Sequence, residues 1–388
     1  MPGGNYADAY RRQMEGSDTA RPDGRHEALR RAEEVHRHGI AEGADRAAAR
    51  YGGQGAANPQ GVRRGAAARG VHADRDRVQS EADTRLHGRV GHGLSAQKRV
   101  SAMRSMLPDK DVRVRKIRIP SPHGGIPALV LSPPTAPADA TGVLWIHGGG
   151  YIAGMKEMVH MSRAVDLVKK FGAVVLSPGY RLAPFSPYPA ALDDCYAALI
   201  YLKENASALG VRSDQLMVGG ESAGGGLCAA VCIRARDSGE VNVAFQMPLY
   251  PMLDDRDTES SCDNHGRVWN TRRNHLAWRL YLHRTDRAQL TPYAAPARLE
   301  DFSGLPPAYS FVSDGEPFYA ETISYFQRLH DAGVPAELDV YHTNMHAFDM
   351  MQPDSALAVR AADAFNRQFE RAQKQYFAPQ PGDGRNSN

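Results

Sequence analysis

The chain has 388 residues and a formal net charge of only +3. That length suffices for a large core and one to three domains, and so small a charge gives no global reason to expect nucleic acid or an anionic membrane as a partner. No run approaches the roughly 18 apolar residues of a membrane-spanning helix, and the start MPGGNYADAYRRQMEG has no apolar leader, so a soluble, cytoplasmic protein is expected.

Residues 1–98 differ in chemistry from the rest. Up to Val100 there is no Phe, Trp or Cys, Ile40 is the only isoleucine and Lys98 the only lysine. Such an Arg/Ala/Gly-rich arm cannot bury enough apolar area to offset its ordering entropy, and it is expected to be mostly disordered. HEALRRAEEVHRH could form a short exposed helix. Two other readings stay open: a basic tail that touches RNA or a membrane, and a stretch of GC-rich DNA translated upstream of the true start or out of frame. Deleting residues 1 to about 95 should leave the melting temperature almost unchanged, because little apolar surface is lost; a large fall in a thermal melt would make the arm a packed domain. In SAQKRVSAMRSMLP, Val100, Met103 and Met106 recur at helical spacing, which suggests a helix near 99–108 that packs close to the following domain.

From Val112 onward the pattern is regular. VRVRKIRI alternates as a half-buried strand does, and IPALVLSP follows as its hairpin partner. GVLWIH and AVVLSP are continuous apolar runs, as strands covered on both faces require. Between them MSRAVDLVKKFG has Met161, Ala164, Val165 and Val168 on one helical face and Gly172 past its end. ALDDCYAALIYLKENASALG carries Leu192, Cys195, Tyr196, Leu199 and Ile200 at helical spacing. QLMVGG is the next strand, with a helix starting at Ala223. FQMPLY, AYSFVS and AELDVYH are later strands; ETISYFQRLHDAG and SALAVRAADAFNRQFERAQ are later helices. Strand alternating with helix predicts a doubly wound α/β fold with a mostly parallel sheet. The four cysteines, Cys195, Cys228, Cys232 and Cys262, show neither a C-x-x-C pair nor zinc spacing and read as reduced core thiols.

Two glycine-rich turns follow predicted strands, where such sheets bind ligands. GESAG at 220–224 is G-x-S-x-G: small flanking residues let Ser222 sit on a sharp strand-to-helix turn with its hydroxyl lifted from the sheet. HGGG at 147–150 offers backbone N–H groups with no Cβ in the way. Gly149 and Gly150, with Gly148 shaping the turn, and the N–H of Ala223 are the expected oxyanion hole, and His147 the residue that orients the loop. Neither a P-loop lysine nor G-x-G-x-x-G spacing is present, and no metal or organic cofactor is implied. A serine nucleophile needs a base, itself oriented by an acid. His346 lies on a loop between the last strand and the last helix and is the candidate base. His342 reads as structural, and His283 and His330 fall in helical stretches. Asp314 and Glu316, both on the loop after AYSFVS, are the candidate acids.

These residues resemble the hormone-sensitive-lipase-like family of α/β-hydrolases, in its bacterial esterase and lipase branch. The likeness spans 112–369 and rests on HGGGY, YRLAP…PYPAALDDCYAAL, GESAGGG, YPMLDDR, SGLPPAYSFVSDGEPF and MHAFD, in that order. It implies an eight-stranded sheet flanked by helices, a small helical cap, and hydrolysis of short- to medium-chain acyl esters without a cofactor. A small-molecule ester is then the partner, with a homodimer left open. The family has Asp-Pro-Leu where this chain has Glu316-Pro317-Phe318, which favours Glu316 as the acid over Asp314. Gly179 and Phe185 stand where the family has Asp and Glu, which puts local salt bridges in question. With the family's N-terminal cap helices replaced by the arm, the segment 258–285 should supply the rest of the cap. Trp269, Leu276 and Trp278 are its candidate acyl-pocket or packing residues. The same fold also serves lactones, acetylated small molecules and, where the histidine is lost, non-catalytic receptors.

Overall fold

The computed structural model describes residues 107–135, 138–183 and 185–382. The expected disorder of the arm at 1–98, its short helix, and the expected cap helix near 99–108, apart from residues 107 and 108, lie outside the described residues. Among the described residues, eight strands form one sheet: β1 (Arg113–Ile119), β2 (Ile126–Ser132), β3 (Ala140–Ile146), β4 (Val174–Pro178), β5 (Val211–Glu221), β6 (Phe245–Leu249), β7 (Ala308–Ser313) and β8 (Ala336–Tyr341). Their spatial order is β1-β2-β4-β3-β5-β6-β7-β8. β2 is antiparallel to both its neighbours, and every pair from β4 to β8 is parallel. The helices are α1 (Ala164–Phe171), α2 (Ala190–Glu204), α3 (Ala223–Ser238), α4 (Thr271–Tyr281), α5 (Tyr319–Asp331), α6 (Phe348–Met351) and α7 (Ala356–Gln375).

The alternation of side chains across the sheet explains why the central strands are apolar throughout. All seven residues of β3 are buried. Leu144 and Ile146 join Leu176, Leu216 and Val218 in a core with Leu199 of α2 and Leu227 of α3. Trp145 has the opposite parity and meets Phe365 of α7 edge-on, with ring centroids 6.1 Å apart. Phe171 of α1 meets Phe369 of α7 at 5.3 Å, so α1 and α7 adjoin. Strands covered on both faces in this way cannot alternate apolar with polar. At the margin, β1 has exposed Arg113, Arg115, Lys116 and Arg118 and only one buried residue, Ile119.

Two sequence expectations need correction. Cys195, Cys228 and Cys232 are buried, but Cys262 is exposed, because it sits in the polar connection ahead of α4 and not on a core-facing helix. In α1 the buried face is Ala164, Leu167 and Val168, with Val165 and Met161 only half-buried. The helix begins at Ala164 after a separate 3-10 turn at Lys156–Met161, so Met161 is not in register with it. Gly172 closes α1 in the left-handed region, the usual way to cap a helix end.

Candidate active site

The strand register brings the glycine turns together. β3 and β5 run parallel with Ile146 opposite Gly220, so the chain leaves both strands at the same level and Gly148 comes to rest beside Ser222. A Cβ on Gly148 would lie 3.3 Å from the Ser222 Cβ. The turn itself is tight. Ser222 has φ 58° and ψ −120°, a strained conformation for a residue with a side chain. Its N–H donates to the Leu249 carbonyl at the end of β6, and its own carbonyl accepts from Gly226 and Met252, which holds the strain in place. Gly224 passes so close to β3 that a Cβ there would overlap the Ile146 carbonyl oxygen and lie 2.5 Å from that of His147. Both obstacles are backbone and cannot swing aside, so Gly224→Ala should cost about 3 kcal/mol or more. Urea unfolding would measure the loss.

A second register assembles the other half. β7 and β8 pair with Ser313 opposite Tyr341, so the loop after β7 faces the loop after β8. Ser313 Oγ donates to the Met345 carbonyl at 3.0 Å. His346 Nδ1 lies 3.1 Å from Glu316 Oε1, and His346 Nε2 lies 2.9 Å from Ser222 Oγ. With the imidazole proton on Nδ1, donated to Glu316, Nε2 is free to accept from the serine hydroxyl; the neighbours select this tautomer. Ser222 is 7% exposed, His346 4% and Glu316 fully buried. Burial pushes the Glu316 carboxyl up, and His346 opposes that shift.

Asp314, two residues away, points elsewhere. Its carboxylate lies 2.7 Å from Nδ1 of exposed His342 and accepts from the Thr343 N–H at 3.2 Å. It fastens the two loops at their outer edge and does not reach His346. His342, just past β8, is raised in pKa by this hydrogen bond.

On the other side of Ser222, the N–H groups of Gly149 and Gly150 have no acceptor among the described residues. Ala223 is the first residue of α3, where the helix leaves its N–H groups unpaired. His147 Nδ1 donates to the Gly148 carbonyl at 2.8 Å, its ring stacks on Tyr180 with centroids 4.2 Å apart, and Tyr180 donates to the His147 carbonyl. Burial lowers the His147 pKa to about 4, so the ring is neutral at pH 7. The unfolded chain, titrating near 6.5, takes up that proton first. This residue's contribution is therefore complete above pH 6.5 and is lost as pH falls toward 4. The loss amounts to about 2–4 kcal/mol. Unfolding free energy measured against pH should thus fall more steeply in that window for the wild type than for His147→Gln.

Several contacts lie behind the site. Tyr250 meets His346 edge-on at 5.1 Å and donates to Asp349 Oδ1 at 3.0 Å. Arg163 Nε lies 3.4 Å from Asp349 Oδ2. Glu221 Oε1 accepts from Trp145 Nε1 at 3.0 Å; burial, and then the nearby Asp349, push its carboxyl well up. Tyr250 and Asp349 fall within YPMLDDR and MHAFD, but nothing in the sequence singles out Arg163. Between the two positions that depart from the family pattern, Arg181 binds buried Asp194 through both Nε and Nη2, and Phe185, one of the departures, is 89% exposed.

In the segment 258–285, Trp278 is buried against Tyr151 and Tyr281, Leu276 is exposed, and half-buried Trp269 lies beside His346. A cavity of about 890 Å³ opens along α4, with Asp255, Asp257, Arg272, His275, Arg279 and Arg287 among its lining residues. Neither Ser222, Glu316 nor His346 lines it, so it is separate from this site. Among the described residues no helix is long and apolar enough to cross a membrane.

A family model for the alpha/beta hydrolase fold matches residues 143–350, over half of the chain. Esterase LipI of Mycobacterium tuberculosis is 33% identical over 266 residues, which cover 66% of this chain and 83% of that protein. The chain belongs to the hormone-sensitive-lipase-like family of α/β-hydrolases. This hydrolase is also similar to an ethyl acetate hydrolase of Pseudomonas putida, 29% identical over 63% of this chain and 74% of the relative. Among solved structures it is similar to a bacterial heroin esterase, with a TM-score of 0.67 and 32% identity over 71% of this chain and 89% of the other. The hydrolase is a carboxylic ester hydrolase, and its substrates are small-molecule esters.

Proposed function

We propose that the hydrolase is a serine carboxylesterase that cleaves short- to medium-chain acyl esters through an acyl-enzyme. The observation that carries this reading is the buried chain from Ser222 Oγ to His346 to Glu316, at 2.9 and 3.1 Å. His346 takes the serine proton as Oγ attacks the ester carbonyl, and Glu316 stabilises the imidazolium. The tetrahedral oxyanion is held by the N–H groups of Gly149, Gly150 and Ala223, with Gly148 shaping the turn. Removing one such donor from an oxyanion hole costs about 3–4 kcal/mol of transition-state stabilisation. His346 then protonates the departing alcohol, and water activated by the same ring releases the acid.

The preference for small acyl groups is supported by the name of the ethyl acetate hydrolase relative. Ser222, Glu316 and His346 come from one chain, so a homodimer is not required to complete the site, and neither a metal nor an organic cofactor enters the mechanism. A cytoplasmic location belongs to the same reading. The test is turnover of p-nitrophenyl esters together with covalent labelling by an organophosphate, read by peptide mass spectrometry. The label should fall on Ser222. Ester turnover that survives full labelling elsewhere in the chain would rule out the serine mechanism.

A further inference from the structure

We propose that Trp269 is the residue that limits acyl-chain length, crossing beside Ser222 so that short acyl groups are turned over faster than medium-chain ones. The inference rests on the serine-esterase reading and names the specificity device of that same site.

The indole lies between Gly150 and His346. Its benzo edge lies on the backbone of Gly150, so close that a Cβ at that position would overlap Trp269 Cη2. On the other side its ring centroid is 6.5 Å from His346 and 6.3 Å from Phe318, and Phe318 stands 5.0 Å from His346. Trp269 thus bridges the loop that carries the unpaired N–H groups and the wall that carries the base. Ser222 lies between those walls and is 7% exposed. On this proposal, the carbonyl oxygen of a bound ester sits at Gly149 and Gly150 and its acyl chain rests against the indole, which lies on Gly150 and faces His346.

The indole is also held in position, as a size filter must be. Nε1 donates to Asn274 Oδ1 at 3.3 Å, and Asn274 is buried in the first turn of α4. Asn270 caps α4 by accepting from Arg273 and also donates back to the Gly266 carbonyl. The Arg273 guanidinium donates to the carbonyls of Arg267 and Val268. The turn carrying Trp269 is therefore pinned on both flanks. Core packing alone does not account for it: Trp145 and Trp278 are fully buried, whereas Trp269 is half-buried beside the base.

The test compares kcat/KM for p-nitrophenyl acetate, butanoate, octanoate and decanoate in the full-length wild type, Trp269→Ala and Trp269→Phe. Each methylene that gains apolar contact is worth about fourfold, so the octanoate-to-acetate ratio should rise tenfold or more in Trp269→Ala. Trp269→Phe, a smaller ring, should fall between. A ratio within twofold of the wild type in whichever variants fold, whatever their absolute rates, would overturn the proposal and make Trp269 a packing residue. Organophosphate labelling of the wild type separates the two readings. A labelled, active enzyme with an unchanged ratio removes only the role of Trp269, whereas an enzyme that neither labels at Ser222 nor turns over any ester removes both.

Discussion

Ser222→Ala should lower kcat/KM for a p-nitrophenyl ester by about five to six orders of magnitude, the scale of loss when a serine nucleophile is removed from a triad. The remaining rate should approach that of the N–H donors and binding alone, about 10³–10⁴ over water. Little else should change. Ser222 holds its strained φ of 58° through backbone hydrogen bonds to Leu249, Gly226 and Met252, and an alanine keeps all three. Its hydroxyl has one described partner, His346 Nε2, so a single buried hydrogen bond is lost. Circular dichroism and a thermal melt should therefore match the wild type to within a few degrees. Substantial ester turnover by this folded variant would sink the serine mechanism and leave a different nucleophile, or water, to be found.

The second large effect separates two carboxylates two residues apart. Glu316→Gln should cost up to about 10⁴ in kcat at neutral pH, because the amide cannot stabilise the imidazolium and can favour the wrong tautomer of His346. Asp314→Asn should remain near wild type, since Asp314 engages His342 and the Thr343 N–H at the exposed edge of the loop. Surface pairs of that kind contribute little. Glu316→Asp should fall between, because a side chain one methylene shorter cannot keep the 3.1 Å contact without moving the backbone. Steady-state kinetics on the three variants decide the matter. The assignment fails if Asp314→Asn shows the large loss while Glu316→Gln stays near wild type; the two roles would then exchange.

Much of this molecule is legible in its sequence because the relevant constraints are local. Strands covered on both faces must be apolar throughout, and GVLWIH, AVVLSP and QLMVGG lie within or overlap β3, β4 and β5 to within a few residues. A turn that passes against a neighbouring carbonyl must be glycine, and Gly224 is marked in the sequence for that reason. Helical spacing identified the buried face of α2, with Leu192, Cys195, Tyr196 and Leu199 in the core and Ile200 half-buried at its margin.

What the sequence left open depends on partners far along the chain. Asp314 and Glu316 are both carboxylates on one loop, and no local rule says which turns inward. The orientation follows from the pairing of β7 with β8, which sets residue 316 against residue 346 and leaves residue 314 at the rim. The same holds for Cys262, whose residue type suggests burial but whose connection runs over the surface. It holds for Arg163, just ahead of α1, which meets Asp349 of α6, 186 positions further along the chain. In the sequence Trp269 is a candidate acyl-pocket or packing residue, and nothing local chooses between the two. That its indole lies on Gly150 and faces His346 is decided by where the segment before α4 crosses the mouth of the sheet. Periodicity and glycine placement encode what each segment must be, whereas side-chain neighbours across the site are fixed by register and packing between segments distant in sequence.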